Sequence, residues 1–235
     1  MKARKILVSL AALALVAAIS IGGTLAYLTS TQSVKNTFTV GNVNISLTEA
    51  QVDENGDKVL ENDEEVRREI GNAYHLLPGH AYVKDPTVSI LAGSEEAYVR
   101  MLVTVTFDKV LTGNEVDLGT LNTIFTGRDP EKWILNGSPA QETKENDAGD
   151  KYTVLTFEYR YFKTVENKTA EDEDLEPLFT QVKIPDTWDG DTLAAIGGFT
   201  IDIEAQAIQA DGFEAKEGKT AADVAWDNFP TTPTT

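Results

Sequence analysis

The chain of 235 residues contains no cysteine, and only two histidines and two methionines. Without thiols there is no disulfide framework, no thiolate zinc site and no cysteine nucleophile. The histidine pair does not suit metal-dependent hydrolysis either. A zinc protease sets two His one helical turn apart with a Glu between them, as in His-Glu-x-x-His, so that two ligands and a base share one face. Here His75 and His80 are separated by Leu76-Leu77-Pro78-Gly79, with no Glu placed as base. Ala92-Gly93-Ser94-Glu95-Glu96 reads as a turn rather than a Gly-x-Ser-x-Gly elbow, and no Gly-x-x-x-x-Gly-Lys phosphate loop occurs. Basic residues are scarce as well: 20 Lys and Arg stand against 38 Asp and Glu, a formal charge of −18. That sign repels phosphate backbones and anionic lipid heads, which disfavours nucleic acid and bare membrane as partners.

Hydrophobic residues make up 41 % of the chain and charged residues 25 %, the balance of one globular domain. Residues 1–26 read as a secretory leader. A basic start (Lys2, Arg4, Lys5) precedes an apolar run from Ile6 through Ile21, then Gly22-Gly23 and the small-residue ending Thr24-Leu25-Ala26. Signal peptidase needs small side chains at its −3 and −1 pockets, which Thr24 and Ala26 supply, so cleavage is expected between Ala26 and Tyr27. The alternative is a retained anchor, since the run approaches bilayer length. Membrane contact is expected only before cleavage. Removing the leader takes three cations with it, leaving 17 basic against 38 acidic residues, a formal −21.

Beyond the leader the pattern is mostly of period two. Val43, Ile45 and Leu47 alternate after Phe38 and Val40, with Gly41-Asn42 between, as in a strand pair or a bulged strand. Thr87–Leu91 and Tyr98–Phe107 predict two strands, the second with Val99, Met101, Val103, Val105 and Phe107 on one face. Tyr152–Phe162 and Phe199–Ile208 predict two more. Asn62–Ile70 predicts a short helix with Asn62 as N-cap and Glu65 three residues on, and Thr220–Phe229 an amphipathic one. Residues 108–150 are turn-rich. About eight strands with few helices imply an all-β, antiparallel two-sheet sandwich with a few short helices. The expected organisation is a leader (1–26), an N-terminal arm (27–36), a β domain (37–229) and a Pro/Thr tail (230–235). Asp53, Asn55 and Asp57, and likewise Asp186, Asp189 and Asp191, alternate as calcium ligands do, but both depart from the EF-hand template and are expected to be solvated turns.

The run Gly23-Thr24-Leu25-Ala26-Tyr27-Leu28-Thr29-Ser30, followed by Val34 to Val43, resembles the N-terminus of the TasA and camelysin family. Leu77-Pro78-Gly79, Lys84-Asp85-Pro86-Thr87-Val88, Ala97-Tyr98-Val99-Arg100 and Ala207 to Phe213 agree with it. The resemblance implies a jelly-roll-like domain, leader removal by a SipW-type signal peptidase, and secretion to the extracellular matrix or cell surface. It also implies assembly with other copies and matrix components into biofilm fibres. In the family the freed N-terminal segment acts as a donor strand for the next subunit; here that arm is Tyr27 to Asn36, including Leu28, Thr29, Ser30 and Val34. No catalytic residue, metal or other cofactor is expected. The alternatives are a camelysin-like surface metalloprotease and a surface adhesin or binding module that does not polymerise.

Overall fold

The computed structural model describes residues 29–33, 36–39, 42–53, 56–69, 71–72, 77–111, 117, 121–196 and 199–229. The expected cleavage residues Thr24, Ala26 and Tyr27, the arm residues Leu28 and Val34, His75 and the tail lie outside these.

In chain order the strands begin with β1 (Thr29–Ser33), β2 (Asn36–Thr39), β3 (Ile45–Ala50), β4 (Leu60–Glu61), β5 (Glu64–Glu65) and β6 (Arg67–Arg68). Next come β7 (Ala81–Val83), β8 (Thr87–Ile90), β9 (Ser94–Phe107), β10 (Phe125–Thr126), β11 (Trp133–Leu135) and β12 (Ala140–Glu145). The last are β13 (Lys151–Tyr161), β14 (Val165–Asn167), β15 (Glu173–Asp174), β16 (Gln181–Lys183) and β17 (Phe199–Gln209). Helix α1 (Gly190–Ile196) precedes β17, and α2 (Ala221–Asp227) follows it.

The architecture is all-β and antiparallel. One large sheet runs β11-β13-β9-β17-β1-β2, with β12 also on β13 and β14 on β9. A second sheet runs β15-β8-β3-β6, and a small one runs β10-β16-β7. The core lies between the two larger sheets. The expected period-two faces are its walls: Val99, Met101, Val103, Val105 and Phe107 of β9 and Leu155, Phe157 and Tyr159 of β13 are buried against Val43, Ile45 and Leu47 from the β3 side. Their alternation with half-buried residues on β9 is what a strand with one core face requires. The residues expected to form a strand pair or a bulged strand, 36–48, instead divide between the sheets, β2 ending on the large one and β3 starting the other.

Two segments differ from expectation. Asn62–Ile70 does not begin a helix: Asn62 and Asp63 have φ of 53° and 66° and form the two-residue turn between β4 and β5. Positive φ at both central positions is the condition for a tight hairpin, and Asn and Asp tolerate it. The same Asn that caps helices thus turns a hairpin here, and the downstream Arg67 is drawn into β6 by pairing with Ala50. β12 falls in the stretch expected to be turn-rich, 108–150. All six of its side chains are exposed, so no apolar periodicity marks it.

Helix α2 closes on the outer face of the large sheet through a second cluster of Ile208, Phe213, Val224, Ala225 and Trp226. Thr220 caps it: its hydroxyl accepts from the Asp223 amide (3.1 Å), and the Asp223 carboxylate accepts from the Thr220 amide (2.9 Å). Arg160 on β13 reaches Asp223 at 2.5 Å, and the Arg100 guanidinium sits 4.4 Å from the Trp226 ring centroid. Hydrogen bonds from Thr220, then Arg160, pull the Asp223 carboxyl down to about 2, from an ordinary value of 3.8. A depressed carboxyl contributes its stabilisation above the unfolded value and loses it as pH falls through the folded one. The helix should therefore stay docked at pH 4 and loosen only toward pH 2. Fluorescence of Trp226, isolated by difference from Trp226→Phe, checks this; release already at pH 4.5 would contradict it.

Candidate assembly edge

The large sheet ends differently on its two sides. Its β12 edge reads Ala140-Gln141-Glu142-Thr143-Lys144-Glu145, exposed throughout and carrying charges that discourage a further strand from adding. At the opposite end, β1 and β2 read Thr-Ser-Thr-Gln-Ser and Asn-Thr-Phe-Thr, without a charge.

β1 contains Thr29 and Ser30 of the expected arm and lies on β17 of its own chain, from Thr29↔Ile208 to Ser33↔Glu204. β2 folds back on it, from Ser30↔Thr39 to Ser33↔Asn36. β1 also approaches β3 across the gap between the sheets, so it occupies the seam where the sandwich closes. β17 itself is anchored along its full length to β9, from Phe199↔Phe107 to Gln209↔Ala97.

The wall facing this seam is held by buried charge. Lys84 and Glu49 meet at 2.7 Å with both residues buried. The other Glu49 oxygen accepts from the Asn72 amide (2.9 Å) and side chain (3.0 Å). Asp85 accepts from the Ala50 amide (2.7 Å) and from Arg67 (3.0 Å). Arg67 also donates to the Thr48 carbonyl (3.2 Å) and the Thr87 hydroxyl (2.9 Å), so one guanidinium staples β6, β3 and β8 together. Burial pulls the Lys58 ammonium down, but Glu65 and Asp85 outweigh it and hold its pKa above the ordinary range. The Lys84-Asp85-Pro86-Thr87 block thus has a structural use: it locks the second sheet beside the seam. Its role was not legible beforehand, because Glu49 and Arg67 are distant in sequence. A cleft of about 70 Å³ opens here, lined by Leu47, Glu49, Arg68, Lys84, Ile201 and Ile203.

The other sites weighed from sequence fall elsewhere. Asp53 accepts from the Asp57 amide at 3.0 Å, closing its own turn, and Asp189 accepts from the Thr192 amide at 2.8 Å at the start of α1. Among the described residues no three His, Cys, Asp or Glu converge as metal ligands. His80 is exposed and stacks near Tyr82 with centroids 6.4 Å apart. The Ser94 hydroxyl is buried and ties to Asn44, accepting from its amide (3.0 Å) and donating to its carbonyl (2.8 Å). Among the described residues no helix is long and apolar enough to cross a membrane. No protein-family model, curated protein or solved structure matches this chain.

Proposed function

We propose that this chain is a secreted structural protein of the cell surface or extracellular matrix that polymerises by exchanging its N-terminal arm, in the manner of the TasA and camelysin family that its N-terminus resembles. The observation that carries the reading is the place of β1. It is the first described strand, uncharged, and joined to β17 by ladder pairing at the seam of the sandwich. A strand held this way can be replaced by its equivalent from another copy, because backbone N–H and C=O groups pair alike with either chain. Each subunit then gives an arm to one neighbour and receives one from another. Such a head-to-tail contact does not close on itself and yields a filament. Leader cleavage at Ala26 is the event that frees the arm, so assembly waits for export. Self-pairing of β1 in the single chain keeps the seam covered until a neighbour arrives.

Mixing two single-cysteine populations tests this, since the natural chain has no thiol. Ser33→Cys in one and Glu204→Cys in the other stand directly opposite each other in the β1–β17 register. Co-assembly followed by oxidation should give a covalent dimer carrying one of each. If the mixture stays uncrosslinked while a chain bearing both cysteines closes internally, arms are not exchanged.

A further inference from the structure

A chain without cysteine forms no disulfide, yet three side chains of the second sheet are arranged as the reactants of another covalent cross-link. Glu49 holds Lys84 on one carboxylate oxygen, with Nζ 2.7 Å from Oε2, and Asn72 on the other, with Nδ2 3.0 Å from Oε1. An amine and a primary amide therefore meet at a single carboxylate. The Asn72 side chain is fixed on all sides: Nδ2 also donates to the Ala50 carbonyl (2.8 Å), and its backbone amide donates to the same Glu49 oxygen (2.9 Å). Its Oδ1 accepts from the Val52 amide (3.1 Å) and from the Arg68 guanidinium. Lys84 and Glu49 are buried and Asn72 is half-buried. The neighbouring carboxylate, Asp85, is taken up by Arg67, Lys58 and the Ala50 amide, which leaves Lys84 to Glu49.

We infer that Lys84 and Asn72 become joined by an intramolecular isopeptide bond, formed after folding with Glu49 as the proton carrier. Lys84 passes one proton to Glu49, and the Nζ lone pair then attacks Asn72 Cγ, making the new N–C bond while the carbonyl π pair moves onto Oδ1. The oxyanion develops between the Val52 N–H and the Arg68 cation, two donors already aimed at that atom. Glu49 gives its proton to Nδ2 and takes the second proton from Nζ. The Cγ–Nδ2 bond breaks with its electron pair on nitrogen, and the departing ammonia takes up the proton from Glu49 as ammonium. The products are a neutral amide, an ammonium ion and the Glu49 carboxylate restored, so neither oxidant nor co-reactant is needed.

Primary amides resist amines in water, and the fold supplies what that reaction lacks. Nucleophile and electrophile are held in one approach instead of meeting by diffusion, and one carboxylate lies within hydrogen-bond reach of both nitrogens, the condition for general acid–base transfer. Glu49 comes from β3, Asn72 follows β6 and Lys84 follows β7, so only the folded chain brings them together. The cleft lined by Glu49, Gly71 and Lys84 gives ammonia an exit. The bond closes residues 72–84 into a covalent loop and fastens the end of β7 beside β6, whether or not copies of the chain polymerise.

Tryptic peptide mass spectrometry of the purified full chain tests this. Trypsin cuts after Arg68, Lys84 and Arg100 unless the Lys84 amine is blocked. The bond predicts residues 69–100 as one peptide, lighter than its sequence by one ammonia, with no fragment ions from backbone breaks between Asn72 and Lys84. Separate 69–84 and 85–100 peptides at full mass would overturn the inference. So would an ammonia missing from a 69–84 peptide still cut at Lys84, which marks a succinimide at Asn72, or a peptide of residues 36–58 joined to Lys84 with loss of water, which puts the bond on Glu49. Glu49→Gln keeps the shape but carries no proton, and should restore both full-mass peptides; ammonia loss persisting there overturns Glu49 as the carrier. The unsubstituted chain decides whether the bond exists even if that variant does not fold.

Discussion

Lys84→Ala is expected to lower the unfolding free energy by about 3–5 kcal/mol, the cost of leaving one member of a buried ion pair alone. Lys84 and Glu49 are 4 % and 7 % exposed, and their charged atoms are 2.7 Å apart. Truncation would strand the Glu49 carboxylate with only the Asn72 donors, in a place water does not reach well. Replacing both members with apolar groups of similar size, Lys84→Met with Glu49→Leu, should cost far less than the single change, because the desolvation penalty of both charges disappears with them. Urea unfolding of the two variants checks the order. If the double variant is the less stable, the pair contributes net stability and the reasoning from desolvation is wrong.

Deleting residues 27–36 should abolish polymerisation and leave a folded chain with an exposed edge. The deletion removes β1 and with it every opposed position from Thr29↔Ile208 to Ser33↔Glu204. It leaves β9, β13 and the buried faces of the core untouched. Far-ultraviolet circular dichroism should therefore retain its β signature. A synthetic peptide of residues 27–38 added to this chain should bind the vacated edge and protect β17 amides from hydrogen exchange. Filaments formed by the deleted chain would show that another surface drives assembly. The charged β12 edge makes that outcome unfavourable from that side.

The fold class was legible because β9, β13 and β17 are long and half-buried. Strict alternation such as Val99-Arg100-Met101 has one physical reading, a strand with a core face. The helix in Thr220–Phe229 was legible for a similar reason: Val224, Ala225 and Trp226 with Phe229 make an apolar face at helical spacing, whereas its cap at Thr220 emerged only in the structure. Failure came where local chemistry serves two structures. Asn62 suits a helix N-cap and a left-handed turn equally, and only the pairing of Arg67 with Ala50 selects the second. Among the described residues β12 pairs only with β13, and all six of its side chains are exposed, so they carry no apolar signal. Strand β1, without a charge, stood out in sequence only through its place after the expected leader. The seam it occupies, with Glu49, Lys84 and Arg67 behind it, is assembled from residues scattered over three strands and a loop.

The net charge of −18 opposes bringing copies together, so assembly should be favoured by acid or by salt, which respectively neutralise and screen the excess carboxylates. Helix α2 stays attached in that range because Asp223 titrates near 2. The most direct measurement is negative-stain electron microscopy of residues 27–235 at pH 4–5. Arm exchange predicts thin unbranched filaments there, absent from the chain that begins at residue 37. Monomers at every pH, salt and protein concentration would contradict it.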